Sequence, residues 1–482
     1  MNTTLRIKYP ILFWGASLIC ILLSIQKLEK QFSFQEFEPE FQQATIWGID
    51  DPVPPQKTIS LSGALNNPYF LQPNGSKNVY LYIDLEAIKD QSDKEKSPLN
   101  ISLVMDRSGS MQGEGKLEYA KEAAKFVAQN LSRQDNFSFV IYDDQVEVIS
   151  PSARVTQKES LMRKIEEIQS GGSTNLSGGM LEGYAQVKNT FERNYVNRVL
   201  LLSDGLANQG ITDMAELQKI VSLKNSEEGI SISSFGVGAD FNEDLMTNLS
   251  EYGTGNYYFI DNADKIPEIF AKELKGLLSV VAQNASFSLN YPQEYFTLKN
   301  VYGYPYNERE EGKVVIDFKD VFSEEKKSVL FKFELKSSIP DQVHFMGELV
   351  YDDVYNHYSR TKESIDLELQ PTVDKLIYES SINKLVEQNI ILFESNAIMQ
   401  EAIIKVDKHD YEKAKEVLDF NIKDMEERFN NIEPDSILLE QYNDAVKYRK
   451  KIEEIEKMDQ QEIKMMQKSS KNMNYLRKRK KQ

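Results

Sequence analysis

Hydrophobic and polar positions change period several times along this chain, and each change predicts a new kind of element. Tyr9–Ile25 is an uncharged, mostly apolar run of about 17 residues. As a helix it reaches roughly 25 Å, enough for a thin or locally adapted bilayer, so residues 1–25 predict a single N-terminal transmembrane helix. Gln26–Gln56 is acidic and Pro-containing and reads as a tether, with Pro52, Pro54 and Pro55 closing it. In Lys77–Leu85 the apolar side chains Val79, Leu81, Ile83 and Leu85 alternate with more polar ones, the period of a half-buried strand. Residues 57–99 therefore predict a first set of strands.

From Asn100 to Val281 short apolar runs alternate with helical patterns. The runs are Ile101–Met105, Phe137–Tyr142, Val199–Leu202, Ile230–Val237 and Tyr257–Ile260. Between them, Leu117, Ala120, Ala124, Val127 and Leu131 recur at gaps of three and four. So do Leu176, Met180, Tyr184, Val187 and Phe191, and again Ile266, Phe270, Leu274, Leu277 and Val281. Each set lines one helix face. Strands alternating with helices predict a doubly wound, Rossmann-like α/β domain, residues 100–282, with a mostly parallel sheet covered on both faces. Period 2 returns in residues 283–371, as in Lys313–Phe318 and Ser328–Leu335. Neither strand segment makes a comfortable β-domain alone. The simplest architecture is one β-sandwich split by the inserted α/β domain.

Residues 372–467 predict an α-helical region. Leu385, Leu392, Met399, Ala402 and Val406 suit a buried face, and the polar turn around His409 opens an antiparallel partner. Tyr448, Ile452 and Ile455 span only one heptad, too short to define a coiled coil. Residues 468–482 are a basic tail.

Charge and composition narrow the function. The formal charge of −18 argues against a nucleic-acid binder, and no nucleic-acid partner is expected. Lys464–Gln482 holds eight basic residues and no acid, leaving 49 basic against 75 acidic residues elsewhere. Such a tail suits a solubilising end, a contact with anionic lipid or envelope polymer, or nucleic acid if it were cytoplasmic. Cys20 is the only cysteine, which excludes an internal disulfide and a Cys-based zinc site. The three histidines, His344, His357 and His409, form no zinc pair. Arg6 and Lys8 precede the apolar run, whereas Lys27 and Lys30 after it are diluted by acids. This places the amino terminus in the cytoplasm and the body outside, periplasmic or on the cell surface. Gly15-Ala16-Ser17 lies within the run and no such signal follows it, which favours an uncleaved anchor.

The chemistry-bearing residues are oxygens. Asp106-Arg107-Ser108-Gly109-Ser110 follows the first apolar run of the α/β segment; Thr174 follows Gly171-Gly172-Ser173; Asp204 follows Leu200-Leu201-Leu202-Ser203. Asp106, Ser108, Ser110, Thr174 and Asp204 supply five oxygen ligands on three loops, a set suited to a hard divalent cation. Asp106 and Asp204 also fall at strand ends, where α/β sheets bind ligands. The first motif alone would suit a helix N-cap; Thr174 and Asp204 in register with it point to metal. Asp143-Asp144 reads as a solvated loop, Asp240 as an acid leading into a helix, and the Asn175-x-Ser sequon as chance.

In order and spacing these residues resemble the von Willebrand factor type A (vWA) domain, with its Asp-x-Ser-x-Ser motif, Thr loop and second Asp. The likeness covers under two fifths of the chain. It implies a metal-ion-dependent adhesion site binding Mg²⁺, or Mn²⁺ or Ca²⁺. Ser108, Ser110 and Thr174 would bind directly, and Asp106 and Asp204 often through water. One position stays open for an acidic side chain of a protein ligand. The expectation is a membrane-anchored protein of bacterial type that mediates Mg²⁺-dependent protein–protein binding, as an adhesion or scaffold protein. The alternative is a subunit like those of calcium-activated chloride channels or a transport complex. No nucleophile–base pair or P-loop supports an enzyme.

Overall fold

The computed structural model describes residues 57–72, 75–89 and 96–479. The expected anchor (1–25) and tether (26–56) lie outside the described residues. Among those described, no helix is long and apolar enough to cross a membrane.

Three strands come first: β1 (Ile59–Leu65), β2 (Tyr69–Leu71) and β3 (Asn78–Ala87). The α/β domain follows. Its elements are β4 (Leu99–Asp106), α1 (Lys116–Asn130), β5 (Asn136–Tyr142), β6 (Val146–Arg154), α2 (Lys158–Glu166) and α3 (Leu176–Asn189). They continue with β7 (Val196–Ser203), α4 (Met214–Ser226), β8 (Ser231–Val237), α5 (Glu243–Tyr252), β9 (Thr254–Ile260) and α6 (Ile266–Leu277). The sheet order is β6-β5-β4-β7-β8-β9, and every neighbour is parallel except β6, which returns antiparallel to β5. The chain winds outward from β4 in both directions. The crevice between β4 and β7 is therefore the topological switch point.

Period 2 along β4 sorts its side chains between two cores. Leu99, Ile101, Leu103 and Met105 pack toward α1, α2 and α6, while Val104 joins α3, α4 and α5 on the other face. With both faces covered, every residue of β4 is buried, Asn100 and Ser102 included among its apolar side chains. Each such side chain contributes roughly 1.5–3 kcal/mol on burial. The positions expected from spacing are buried except Phe191, which lies past the end of α3 and is exposed; Val281 is buried too, but in the strand that follows α6.

That strand, β10 (Val280–Asn290), leaves the α/β domain. It is followed by β11 (Phe296–Tyr302), β12 (Asn307–Glu310), β13 (Lys313–Phe322), β14 (Lys326–Leu335), β15 (Val343–Asp353) and β16 (Ser359–Thr372). Two sheets result, β1-β3-β14-β11 and β12-β13-β10-β15-β16-β2, and each takes strands from both sides of the α/β insertion. They share one apolar core. Phe331 and Phe333 of the first sheet meet Phe287 and Phe345 of the second, with ring centroids 6.3 Å apart for Phe287–Phe331 and 5.2 Å for Phe333–Phe345.

The C-terminal region comprises α7 (Lys375–Ser380), α8 (Lys384–Asp407), α9 (Tyr411–Phe429), α10 (Ser436–Glu453) and α11 (Gln460–Lys478). Leu392, Met399, Ala402 and Val406 are buried, but Leu385, in the first turn of α8, is largely exposed. Tyr448, Ile452 and Ile455 pack against α8 and α9 within the same chain. The helix α11 runs from Gln460 through residues 468–478 of the basic tail without a break, opened by a capping box between Asp459 and Glu462. It lies against the α/β domain. Tyr475 packs edge-on to Tyr257, and Lys471 bridges Asp244 of α5 and Asp407 of α8.

Candidate metal centre

Asp106 ends β4 and is fully buried. Its two oxygens are committed locally: Ser108 N–H donates to Oδ1 and Ser203 Oγ donates to Oδ2, both at 2.8 Å. These bonds turn the chain sharply after the strand and aim the Ser108 and Ser110 hydroxyls at each other, 3.1 Å apart. Ser110 Oγ in turn donates to Asp204 Oδ1 at 2.6 Å, across from β7. Asp204 is fully buried, whereas Ser110 is exposed. The third loop arrives through backbone bonds, Gly109 N–H to Gly172 O at 3.0 Å and Gly171 N–H to Arg107 O at 2.6 Å. Thr174 N–H donates to Asn208 Oδ1. A side-chain carbon placed on Gly205 would stand 3.2 Å from Thr174 Oγ1 and 3.5 Å from Ser110 Oγ. All five expected residues thus surround one point at the carboxyl ends of β4 and β7. Three hydroxyls and two carboxylates, without sulfur or nitrogen donors, fit a hard divalent cation. Ser108, Ser110, Thr174, Asp106 and Asp204 are the residues that would hold it.

Burial pushes the Asp106 carboxyl up to about 6, and the charge of Asp204 adds to this, while hydrogen bonds from Ser108 and Ser203 oppose it. A divalent cation would offset this burial cost.

Asp143 differs from its expected place in a solvated loop. It is buried, with Oδ2 3.1 Å from Arg107 Nε, and its Oδ1 accepts from Gln145 N–H. A Cβ on Gly171 would fall 1.8 Å from Asp143 Oδ2, and one on Gly172 2.1 Å from Asp144 Oδ1. The close approach of the two aspartates, and not only an ion, therefore favours the glycine pair. Asn175 caps α3, accepting from Gly178 N–H at 3.0 Å, so its side-chain amide is engaged in the fold.

One residue was missed altogether. Lys116 Nζ donates to Asp204 Oδ2 at 2.9 Å. The signal was its position: a lysine opening a helix faces the positive end of the dipole, an unfavourable place unless a carboxylate holds it.

Residues 100–272 match the model of the von Willebrand factor type A domain, so the chain is a vWA domain-containing protein. Such domains are protein-binding modules and often bind a divalent metal at a metal-ion-dependent adhesion site. Among curated proteins, the chain is 29% identical over 261 residues to the uncharacterized protein YfbK of Escherichia coli (strain K12). That alignment covers 54% of this chain and 45% of the relative, so the chain spans less than half of that protein's length. The solved von Willebrand factor type A structure from Catenulispora acidiphila superposes with a TM-score of 0.63 at 15% identity, over 77% of this chain and 87% of that one. The ArnB paralog VWA2 from Sulfolobus acidocaldarius gives a TM-score of 0.58 at 16% identity, over 86% and 98%. These two likenesses show the fold.

Proposed function

We propose that this protein is a membrane-anchored adhesion or scaffold protein, not an enzyme, whose vWA domain binds a protein ligand through Mg²⁺. The observation that carries the proposal is the convergence of Ser108, Ser110, Thr174, Asp106 and Asp204 at the β4–β7 switch point. The groups that would touch the ion directly are neutral hydroxyls, and the two carboxylates would act largely through water, so the open face of a bound cation stays electropositive and attracts an acidic side chain. Ser110 is exposed at the mouth, where such a side chain would approach. The apolar run Tyr9–Ile25 would anchor the protein, with its amino terminus in the cytoplasm and its body in the periplasm or at the cell surface.

The test is capture of partners from a detergent extract by the full-length protein. Chelation should release the partner and Mg²⁺ should restore it. Thr174→Ala should weaken capture. Capture that persists in excess chelator, and equally with Asp204→Ala, would assign the interaction to the helical region or the β-sheets. Protease treatment of spheroplasts should remove an epitope inserted near Lys265; protection until lysis would reverse the orientation.

A further inference from the structure

The salt bridge between Lys116 and Asp204 gives the site a cation of its own. The Lys116 side chain is only 11% exposed and the Asp204 side chain 0%, so the pair is withdrawn from water. Asp204 divides its oxygens, Oδ1 accepting from Ser110 Oγ and Oδ2 from Lys116 Nζ. The ammonium therefore stands on the carboxylate that a metal would use. A divalent ion and an ammonium sharing one buried carboxylate repel strongly. Without either, Asp204 would be a buried charge close to Asp106, an arrangement that is costly to fold.

The ammonium has a second place to go. A side-chain carbon on Gly238 would lie 3.6 Å from Lys116 Nζ, so the β8–α5 loop runs directly beside it. Two residues further on stands Asp240, which is paired with Lys464 of α11 at 2.9 Å. Its carboxyl is held below the usual range, first by Lys464 and also by Lys116 and Lys468. The Asp240 side chain is 68% exposed and is within electrostatic range of all three lysines.

We propose that Lys116 is a built-in competitor for the divalent ion, holding Asp204 in the metal-free protein and yielding it toward Asp240 when the ion enters. This rests on the metal-binding function proposed above. It assigns Lys116 a positioning role that sets ion affinity: the chain accepts weaker metal binding in return for a metal-free state in which Asp204 is neutralised. Removing the lysine should tighten the site and destabilise its empty form. Removing Asp240 should hold the ammonium on Asp204 and weaken metal binding, an effect that depends on Lys116 being present.

The test is Mn²⁺ binding to the purified full-length protein, followed by electron paramagnetic resonance of the unbound ion. Wild type, Lys116→Met, Asp240→Asn and the double variant would be compared, with melting temperatures in metal-free and Mn²⁺-loaded buffer. Lys116→Met should bind on the order of tenfold tighter. It should melt lower than wild type without metal and recover when Mn²⁺ is added. Asp240→Asn should bind several-fold more weakly than wild type, and the double variant should bind like Lys116→Met. A folded Lys116→Met protein with unchanged or weaker affinity overturns the inference but leaves metal binding standing. If Lys116→Met does not fold, Asp240→Asn decides, and unchanged affinity there overturns it. Absence of Mn²⁺ binding in both wild type and Lys116→Met overturns this inference and the proposed function together.

Discussion

Arg198 of β7 donates through Nη2 to Asp320 of β13 at 2.7 Å, joining the α/β domain to the second β-sheet. Arg198 is the largest fully buried side chain described, and its Nη1 also reaches Ser233 Oγ at 3.1 Å. Breaking one side of a buried pair leaves an uncompensated charge. Asp320→Ala should therefore lower unfolding stability by about 3 kcal/mol. Chemical unfolding followed by circular dichroism measures it. A loss near zero would mean that water or a neighbour replaces Asp320.

Metal should stabilise the vWA domain, because a ligand bound only by the native state shifts the folding equilibrium. At roughly a hundredfold over the dissociation constant the gain is about 2.7 kcal/mol. Asp106→Ala should abolish the Mg²⁺-dependent rise in melting temperature, since Asp106 orients Ser108 through its backbone N–H. An equal rise in that variant would place the ion elsewhere.

Glu243 of α5 predicts a pH dependence. Burial pushes its carboxyl up to about 8, despite the nearby charges of Lys468 and Lys471 and the hydroxyl of Tyr257. A carboxyl raised in the folded state favours folding when protonated. Its contribution is complete below its ordinary value of 4.5 and is lost as pH rises toward about 8. Glu243→Gln mimics the protonated form and keeps an acceptor for Tyr257 Oη. Its stability should fall less than that of wild type across this range in melting experiments at stepped pH. Parallel profiles would show that Glu243 stays ionised against Lys468.

The strand segments on either side of the vWA domain should depend on each other. β3 pairs with β14 from Asn78–Glu334 to Glu86–Lys326, so a fragment of residues 279–372 leaves β14 with β11 alone in its sheet. Phe331 and Phe333 would then line a half-formed core. The fragment should give poorly dispersed amide resonances, and a dispersed, cooperatively melting fragment would contradict this.

Much of the site could be read from residue order because its parts are local. Asp106, Ser108 and Ser110 sit on one turn, and Thr174 and Asp204 follow recognisable loop and strand patterns. Helix faces with gaps of three and four were equally plain. What stayed hidden depended on tertiary approach. Asp143 looks like a loop acid until Gly171 closes over it. Lys116 gains meaning only because β4 and β7 are neighbours. The pairing of β2 with β16 rests on three residues, Tyr69–Leu71 against Gln370–Thr372, too short for any pattern. The docking of α11 uses ionic contacts by Lys464, Lys471 and Lys478, and on a basic segment these look like plain solvation.

Tyr475 bears on the order in which these elements can pack. Its hydroxyl accepts from Tyr257 N–H, 218 positions earlier in the chain. During synthesis the α/β sheet, both β-sheets and α8 to α10 can all take shape before this residue leaves the ribosome. Until then Tyr257 lacks its partner Tyr475 and the ring of Phe241 lacks the cover of Lys468. Contacts of such long sequence separation form late and leave apolar surface open to misassembly in the interval. Helix α11 acts as a latch that closes over strands made long before it, and a chain interrupted before Gln460 would carry those strands with an unguarded flank.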